Sequence, residues 1–275
     1  MTRLAFDLHA AGVLAPGLMS LADLCAVSSG QRAHEPQPVQ VPSPAMLPAQ
    51  ERRRASSAVR LVLACIEQAL RGWPLPPEML HSVFATDEGT GEVCQQMLAA
   101  LATTRQVSPL LFSNSVLNAP SGYFSIAWRN RKPSTVVSLG LDAFASGLLC
   151  AVADARASGA PTLLVCYDPP MQAPLVELLP VHEGIATAWI ISAAALDAPV
   201  PVLASFELQV EAGSGSASGS GASGLPAWMP QAWEACASAR GLAALGLLGQ
   251  GADAQARLPS GGCTVALRRT SPRPL

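Results

Sequence analysis

The chain has 275 residues, enough for one large α/β domain or one domain with an appendage. Half of the residues are hydrophobic, mean hydropathy is +0.32, and only 13% are charged, well under the roughly 25% of an ordinary soluble domain. A formal charge of −2 leaves no basic excess to hold phosphates, which argues against nucleic acid; no run approaches about 18 uninterrupted apolar residues, so no spanning helix is supported.

Such sparse charge has two readings: weakly polar surface suited to burial against a partner, or a surface of small alanine side chains. Lys132 is the single lysine among the basic residues. Seven cysteines (Cys25, Cys65, Cys94, Cys150, Cys166, Cys236 and Cys263) form no CxxC pair. Their odd number, their apolar surroundings and the lack of a signal peptide predict buried, reduced thiols in a cytoplasmic protein.

In chain order, Leu4–Leu14 opens with alternating apolar residues and reads as a strand, turned by Ala15-Pro16-Gly17. Leu18–Val27 reads as a short helix ending near Gly30, and the proline-rich Gln31–Pro48 as a surface loop. From Gln50 to Leu70 the period becomes helical, with Ala58, Val62, Cys65, Ile66 and Ala69 on one face. Arg52-Arg53-Arg54 would lie at the N-terminal end of that helix, where cations oppose its dipole. They mark either a solvated helix end or contact with an acidic partner.

Ser82–Thr86 reads as a strand running into Asp87-Glu88-Gly89-Thr90-Gly91, followed by a helix over Glu92–Thr103. The Gly89/Gly91 pair is too short for a dinucleotide fingerprint, and no metal-ligand spacing occurs, so neither cofactor nor metal is expected. Asn118 to Gly122 opens a helical run through Trp128. Thr135–Leu139 then reads as a strand, Gly140–Phe144 as a tight turn, Ala145–Arg156 as a helix and Thr162–Tyr167 as a buried strand. This βαβ unit implies parallel strands.

Ile185–Ala193 and Val200–Val210 read as two more strands, and Gly213–Gly224 as a Gly/Ser/Ala linker. A helix over Gln231–Leu245, a Gly-rich stretch, a final strand over Cys263–Leu267 and a frayed tail, Arg268–Leu275, complete the chain. The implied division is a domain over 1–211, a linker over 212–226 and a short helix-strand appendage over 227–275.

The turn into the alanine-rich helix is where a nucleophile would sit. Unpaired N–H groups and the positive helix end lower a thiol pKa and stabilise an oxyanion. Here the turn reads Gly140-Leu141-Asp142-Ala143-Phe144, which holds no thiol or hydroxyl. Asp142 suits a helix N-cap.

Several segments resemble the N-terminal half of the thiolase-fold β-ketoacyl synthases over residues 3 to 211. Gly12-Val13-Leu14-Ala15-Pro16-Gly17 is similar to the family's first strand and turn, and Asn118 to Gly122 to its Asn-x-x-(Ala/Ser)-Gly helix start. Lys132-Pro133-Ser134 resembles its step into the nucleophile strand. The resemblance implies an α/β, thiolase-like fold, a mixed sheet covered by helices with a truncated second half. Counted from Pro133-Ser134 the family's cysteine falls on Leu141, counted back from Gly159 on Asp142, and by motif similarity on Phe144; none is a cysteine. Cys150, about two turns into the helix, reads as core.

The family's histidine pair belongs to its second half, whereas His9, His34, His81 and His182 all precede the linker. A cysteine-less relative is similar to the chain-length factors that pair with active ketosynthases. The segments Arg52 to Ser56, Ser108-Pro109 and Phe112 to Ala119 resemble short β-ketoacyl synthase-like proteins of aryl polyene pathways. The implied role is a non-catalytic, cytoplasmic subunit of a ketosynthase heterodimer, working with an acyl carrier protein. Phe144 and Asn118 would line a pocket or tunnel, although Phe144 also suits anchoring the buried helix. The competing expectation is an acyl hydrolase or decarboxylase using Asp142, a serine or His182.

Overall fold

The computed structural model describes residues 3–196, 198–212, 225–260 and 262–270. Its centre is one eight-stranded mixed sheet. The strands are β1 (Arg3–Leu14), β2 (His81–Thr86), β3 (Ser134–Ser138), β4 (Thr162–Asp168), β5 (Ile185–Ser192), β6 (Ala204–Ala212), β7 (Gln255–Ser260) and β8 (Cys263–Thr270). Their spatial order is β3-β2-β4-β5-β1-β6-β8-β7. β2 pairs in parallel with β3 and β4, and every other pairing is antiparallel.

The helices are α1 (Leu21–Ser28), α2 (Ala49–Arg54), α3 (Ser57–Arg71), α4 (Gly91–Thr103), α5 (Pro109–Asn114), α6 (Ala119–Trp128), α7 (Ala143–Ser158) and α8 (Ala237–Gly246). Helices α1, α7 and α8 share one core with Phe6, Leu8, Val83, Ala85, Leu164 and Trp189. Helices α3 and α6 share the other with Leu14, Phe84, Leu163, Val165 and Ile190. Alternate residues of each central strand thus feed opposite cores, as a period of two requires.

β1 breaks that alternation once. Its register against β5 slips between Leu8 and Ala10, a bulge at His9. Phe6 and Leu8 face the first core; beyond the bulge Val13 and Ala15 face it, while Ala10 and Leu14 turn to the second. Gly12 therefore lies against α3, where a Cβ would stand 2.1 Å from the Cys65 carbonyl oxygen. Only glycine lets strand and helix approach so closely.

The region expected as one helix over Gln50–Leu70 is two. Ala55 is extended and Ser56 caps α3, its side chain accepting from the Val59 N–H. Arg52-Arg53-Arg54 consequently occupy the last turn of α2, where cations suit the dipole, rather than the start of a long helix. The helix expected over Gln231–Leu245 also divides, into a 3-10 turn (Gln231–Ala235) and α8, with extended Cys236 between them.

The segment expected as an appendage joins the same sheet: β8 pairs with β6, and β7 forms the far edge. β7 falls in the Gly-rich stretch, for which the sequence predicts no strand, and Arg268 to Thr270 in the segment expected as a frayed tail, but both are strand. Ser146 Oγ on α7 lies 3.2 Å from Ser260 Oγ on β7, and α8 enters the first core. The linker residues 213–224 and the tail residues 271–275 lie outside the described residues. Among the described residues no helix is long and apolar enough to cross a membrane.

All seven cysteines are free; Cys65, Cys166 and Cys236 are buried. Cys150, expected in the core, is exposed instead. α7 buries Gly147, Leu148, Ala151 and Val152, which turns position 150 outward.

Candidate functional site: the turn into α7

The parallel strands β2, β3 and β4 end together beneath the N-terminus of α7. β3 is the outermost strand and stops at Ser138, whose hydroxyl donates to the Asp87 carbonyl oxygen at 2.5 Å. The chain then reverses through Gly140, at φ +58°, a conformation glycine adopts without steric cost. Within the turn the Asp142 N–H donates to the Leu139 carbonyl (3.1 Å) and the Ala143 N–H to the Gly140 carbonyl (3.0 Å). Two N–H groups that could cradle an oxyanion are thereby occupied.

Leu141 is 39% exposed and aliphatic, so the turn presents hydrocarbon at its surface. Asp142 takes the N-cap position of α7 without a side-chain capping hydrogen bond. Phe144 is fully buried, 5.6 Å from Trp189 between ring centroids and packed on Gly241, in the first core. Asn118 precedes α6 as an exposed residue whose carbonyl accepts from the Gly122 N–H and the Ser121 hydroxyl. The structure therefore places Leu141 and Asp142 on the turn and Phe144 in the first turn of α7, while Asn118 stands at the start of α6.

Behind the turn lies a polar cluster that sequence reasoning missed. Asp168, the last residue of β4, is 1% exposed. Its Oδ1 accepts from the Asp87 N–H (2.8 Å) and the Thr86 hydroxyl (3.1 Å). Its Oδ2 accepts from the Ser238 N–H (2.7 Å), the Ser238 hydroxyl (2.6 Å) and the Cys236 thiol (3.3 Å). A carboxylate with this many donors also completes the N-terminus of α8 from another part of the chain.

Arg240 on α8 is buried and donates to the Cys236 carbonyl at 3.2 Å. Burial pulls its guanidinium below the ordinary arginine value, while Cys236, Asp142, Cys166 and Asp168 draw it back. Burial, then Asp168 and Glu88, push the Asp87 carboxyl upward, and Arg240 opposes the rise. One guanidinium thus lies in the field of three carboxylates, Asp87, Asp142 and Asp168. Burial and Asp168 hold the Cys236 thiol far above its ordinary value, so it is a protonated donor rather than a displaced nucleophile.

No histidine lies on the turn. His34 bonds the Pro16 carbonyl between Trp228 and Trp233, His81 pairs with Asp154, His9 contacts Ser192, and His182 is an exposed loop residue before β5. Among the described residues, no group of three or more His, Cys, Asp or Glu side chains could hold a metal ion. The only hint of the cluster in the sequence was an aspartate directly following an apolar strand.

Residues 27–238 match the sequence profile of the β-ketoacyl synthase N-terminal domain. No curated protein sequence matches the chain. Among solved structures it is similar to the ketosynthase (ApeO) in complex with its chain length factor (ApeC) from Xenorhabdus doucetiae. That match has 22% identity and a TM-score of 0.71, over 97% of this chain and 100% of the other. The ishigamide ketosynthase/chain length factor gives 15% and 0.72, over 98% and 100%. A β-ketoacyl synthase from Burkholderia phymatum gives 13% and 0.59, over 84% and 70%. At such identities the structural likeness shows the fold, which is the thiolase-like fold expected from the motifs. With more than half of its length matched by the profile, the chain belongs to the β-ketoacyl synthase N-terminal domain family.

Proposed function

We propose that this chain is a non-catalytic, chain-length-factor-like subunit that pairs with an active ketosynthase and, through it, meets an acyl carrier protein. The observation that carries the reading is Leu141 on the turn into α7: the position offers no atom to which an acyl group can bond. The thiol nearest to that turn's polar cluster, Cys236, is buried and protonated.

Two features support pairing. β3 is an open sheet edge, and Leu139 and Leu141 at its end are exposed, so a partner strand or helix would cover both hydrogen-bonding groups and hydrocarbon. The chain also covers the whole of the matched chain in the two ketosynthase/chain length factor complexes, but only 70% of the Burkholderia β-ketoacyl synthase. The finer assignment, to a system making aryl polyene or related polyunsaturated acyl chains, rests on the resemblance of Arg52 to Ser56, Ser108-Pro109 and Phe112 to Ala119, and a cytoplasmic location on the free cysteines.

The test is co-expression with a ketosynthase and an acyl carrier protein from the same genome. The expected result is a one-to-one complex in which acyl groups are trapped on the ketosynthase alone. A covalent acyl adduct on the Leu139–Asp142 turn, or a chain that stays unpaired beside every ketosynthase of that genome, refutes the reading.

A further inference from the structure

At the opposite end of the sheet a cavity of about 370 Å³ opens beside the β5–β6 connection. Its walls are largely apolar, with Leu196, Pro199, Val200 and Val202 among them, and His9 and Ser192 line it. Ser192 ends β5 and Asp168 faces Ile185 at the start of that strand, so the cavity and the Asp168 cluster lie at opposite ends of β5, about 23 Å apart at 3.3 Å per residue.

His9 Nδ1 lies 2.9 Å from the Pro201 carbonyl oxygen, and His9 Nε2 lies 2.9 Å from Ser192 Oγ. A carbonyl oxygen can only accept, so Nδ1 carries the proton. In the neutral ring Nε2 is then a bare lone pair, and the Ser192 hydroxyl donates to it. This is the polarity a serine nucleophile needs: a base on the hydroxyl and a third group fixing the base's tautomer. Asp7 pairs directly with Ser192, and His9, two residues on, reaches the same hydroxyl from the bulge in β1. Trp73 packs edge-on against the imidazole at 5.7 Å between centroids and holds it in place. Both side chains are nearly buried, at 5% and 3% exposure, with the cavity as their opening.

We propose that Ser192 and His9 form a second site, a serine esterase acting on neutral carboxylic esters with a short apolar acyl group. Ser192 Oγ bonds to the ester carbonyl carbon while His9 Nε2 takes its proton. The tetrahedral adduct collapses with cleavage of the ester C–O bond, and the imidazolium returns the proton to the departing alcohol. Water repeats the sequence on the acyl-serine, releasing the acid and restoring Ser192. The apolar walls accept the acyl group, and Asp7, which also lines the cavity and accepts from Ser205 Oγ at 2.5 Å, repels the acid product. This assignment is independent of the proposed role at the α7 turn.

The experiment treats the purified full-length chain with a fluorophosphonate and maps the adduct by peptide mass spectrometry, alongside hydrolysis of p-nitrophenyl butyrate. The expected result is one adduct, on Ser192, with ester hydrolysis lost in Ser192→Ala. His9→Gln, which keeps a hydrogen-bonding group beside the hydroxyl but no base, should slow labelling about 10²-fold or more. Thermal melts confirm that each variant is folded. Should His9→Gln fail to fold, wild-type labelling and Ser192→Ala still decide. An unmodified Ser192 in the folded wild type, hydrolysis that survives Ser192→Ala, or labelling unchanged in folded His9→Gln overturns the proposal.

Discussion

Replacing Asp168 with alanine tests whether the polar cluster is the clasp that holds α8 on the sheet. The side chain accepts from five donors, two of them backbone N–H groups, of Asp87 and Ser238, which have no rotamer with which to find another partner. Each buried donor left unpaired costs about 1–3 kcal/mol. The Ser238 hydroxyl loses less, because it also reaches the Ile185 carbonyl at 3.2 Å. The two N–H groups together therefore cost about 2–6 kcal/mol. Urea denaturation should therefore show Asp168→Ala destabilised by about 4 kcal/mol, and Asp168→Asn, which keeps one acceptor oxygen, by about half as much. Hydrogen exchange should place the damage: the amides of α8 lose protection before those of β4 and β5. A loss under about 1 kcal/mol, or uniform loss of protection, would show that the contacts on Asp168 are not a clasp.

The close approach of β1 to α3 predicts that Gly12→Ala costs about 1–3 kcal/mol, seen as a lower urea midpoint, since the new methyl meets the Cys65 carbonyl. An unchanged midpoint would mean that α3 can move away freely. Phe144→Ala should cost about 3–5 kcal/mol because the ring fills the core against Trp189, and a variant of wild-type stability would place that ring outside the core. Asp87 has a folded pKa raised above the usual 3.8, so the folded chain binds that proton more tightly than the unfolded chain. Its contribution is present below the unfolded value and is lost as pH rises through the folded one. Asp87→Asn should accordingly gain on the wild type as pH rises through that window and keep the gain at neutral pH. Urea midpoints across a pH series check this, and a gain that shrinks with rising pH reverses the sign.

Legibility followed the range of the interactions. β2, β4 and β5 were readable because their apolar runs are local and buried on both faces. β7 was not, because Pro259 and the flanking glycines argue against a strand; at the outermost position of the sheet a proline forfeits no ladder hydrogen bond. The split between α2 and α3 turned on one capping serine inside a continuous helical period, and it reversed the meaning of three arginines. Cys150 shows the limit of composition: in an alanine-rich helix both faces look apolar, and only packing decides which is buried. At the turn, the lack of a thiol or hydroxyl over Gly140 to Phe144 is legible in the sequence itself. The clasp was not, because Asp168 and Ser238 are 70 positions apart and no local pattern joins them.

The same cluster supports the proposal that the turn into α7 works without a nucleophile. A reactive cysteine there needs free N–H groups, a base and a positive field. In this chain two N–H groups of the turn bond its own carbonyls, no histidine stands on it, and the buried Arg240 guanidinium lies in the field of Asp87, Asp142 and Asp168. The field at the turn is therefore acidic and would raise a thiol pKa rather than lower it. Those charges instead hold the C-terminal segment in place: Asp168 grips the start of α8, α8 covers Phe144, and the first core closes over β8. Groups that could have tuned a nucleophile hold the domain together, which leaves the exposed β3 edge and Leu141 as surface a partner can cover.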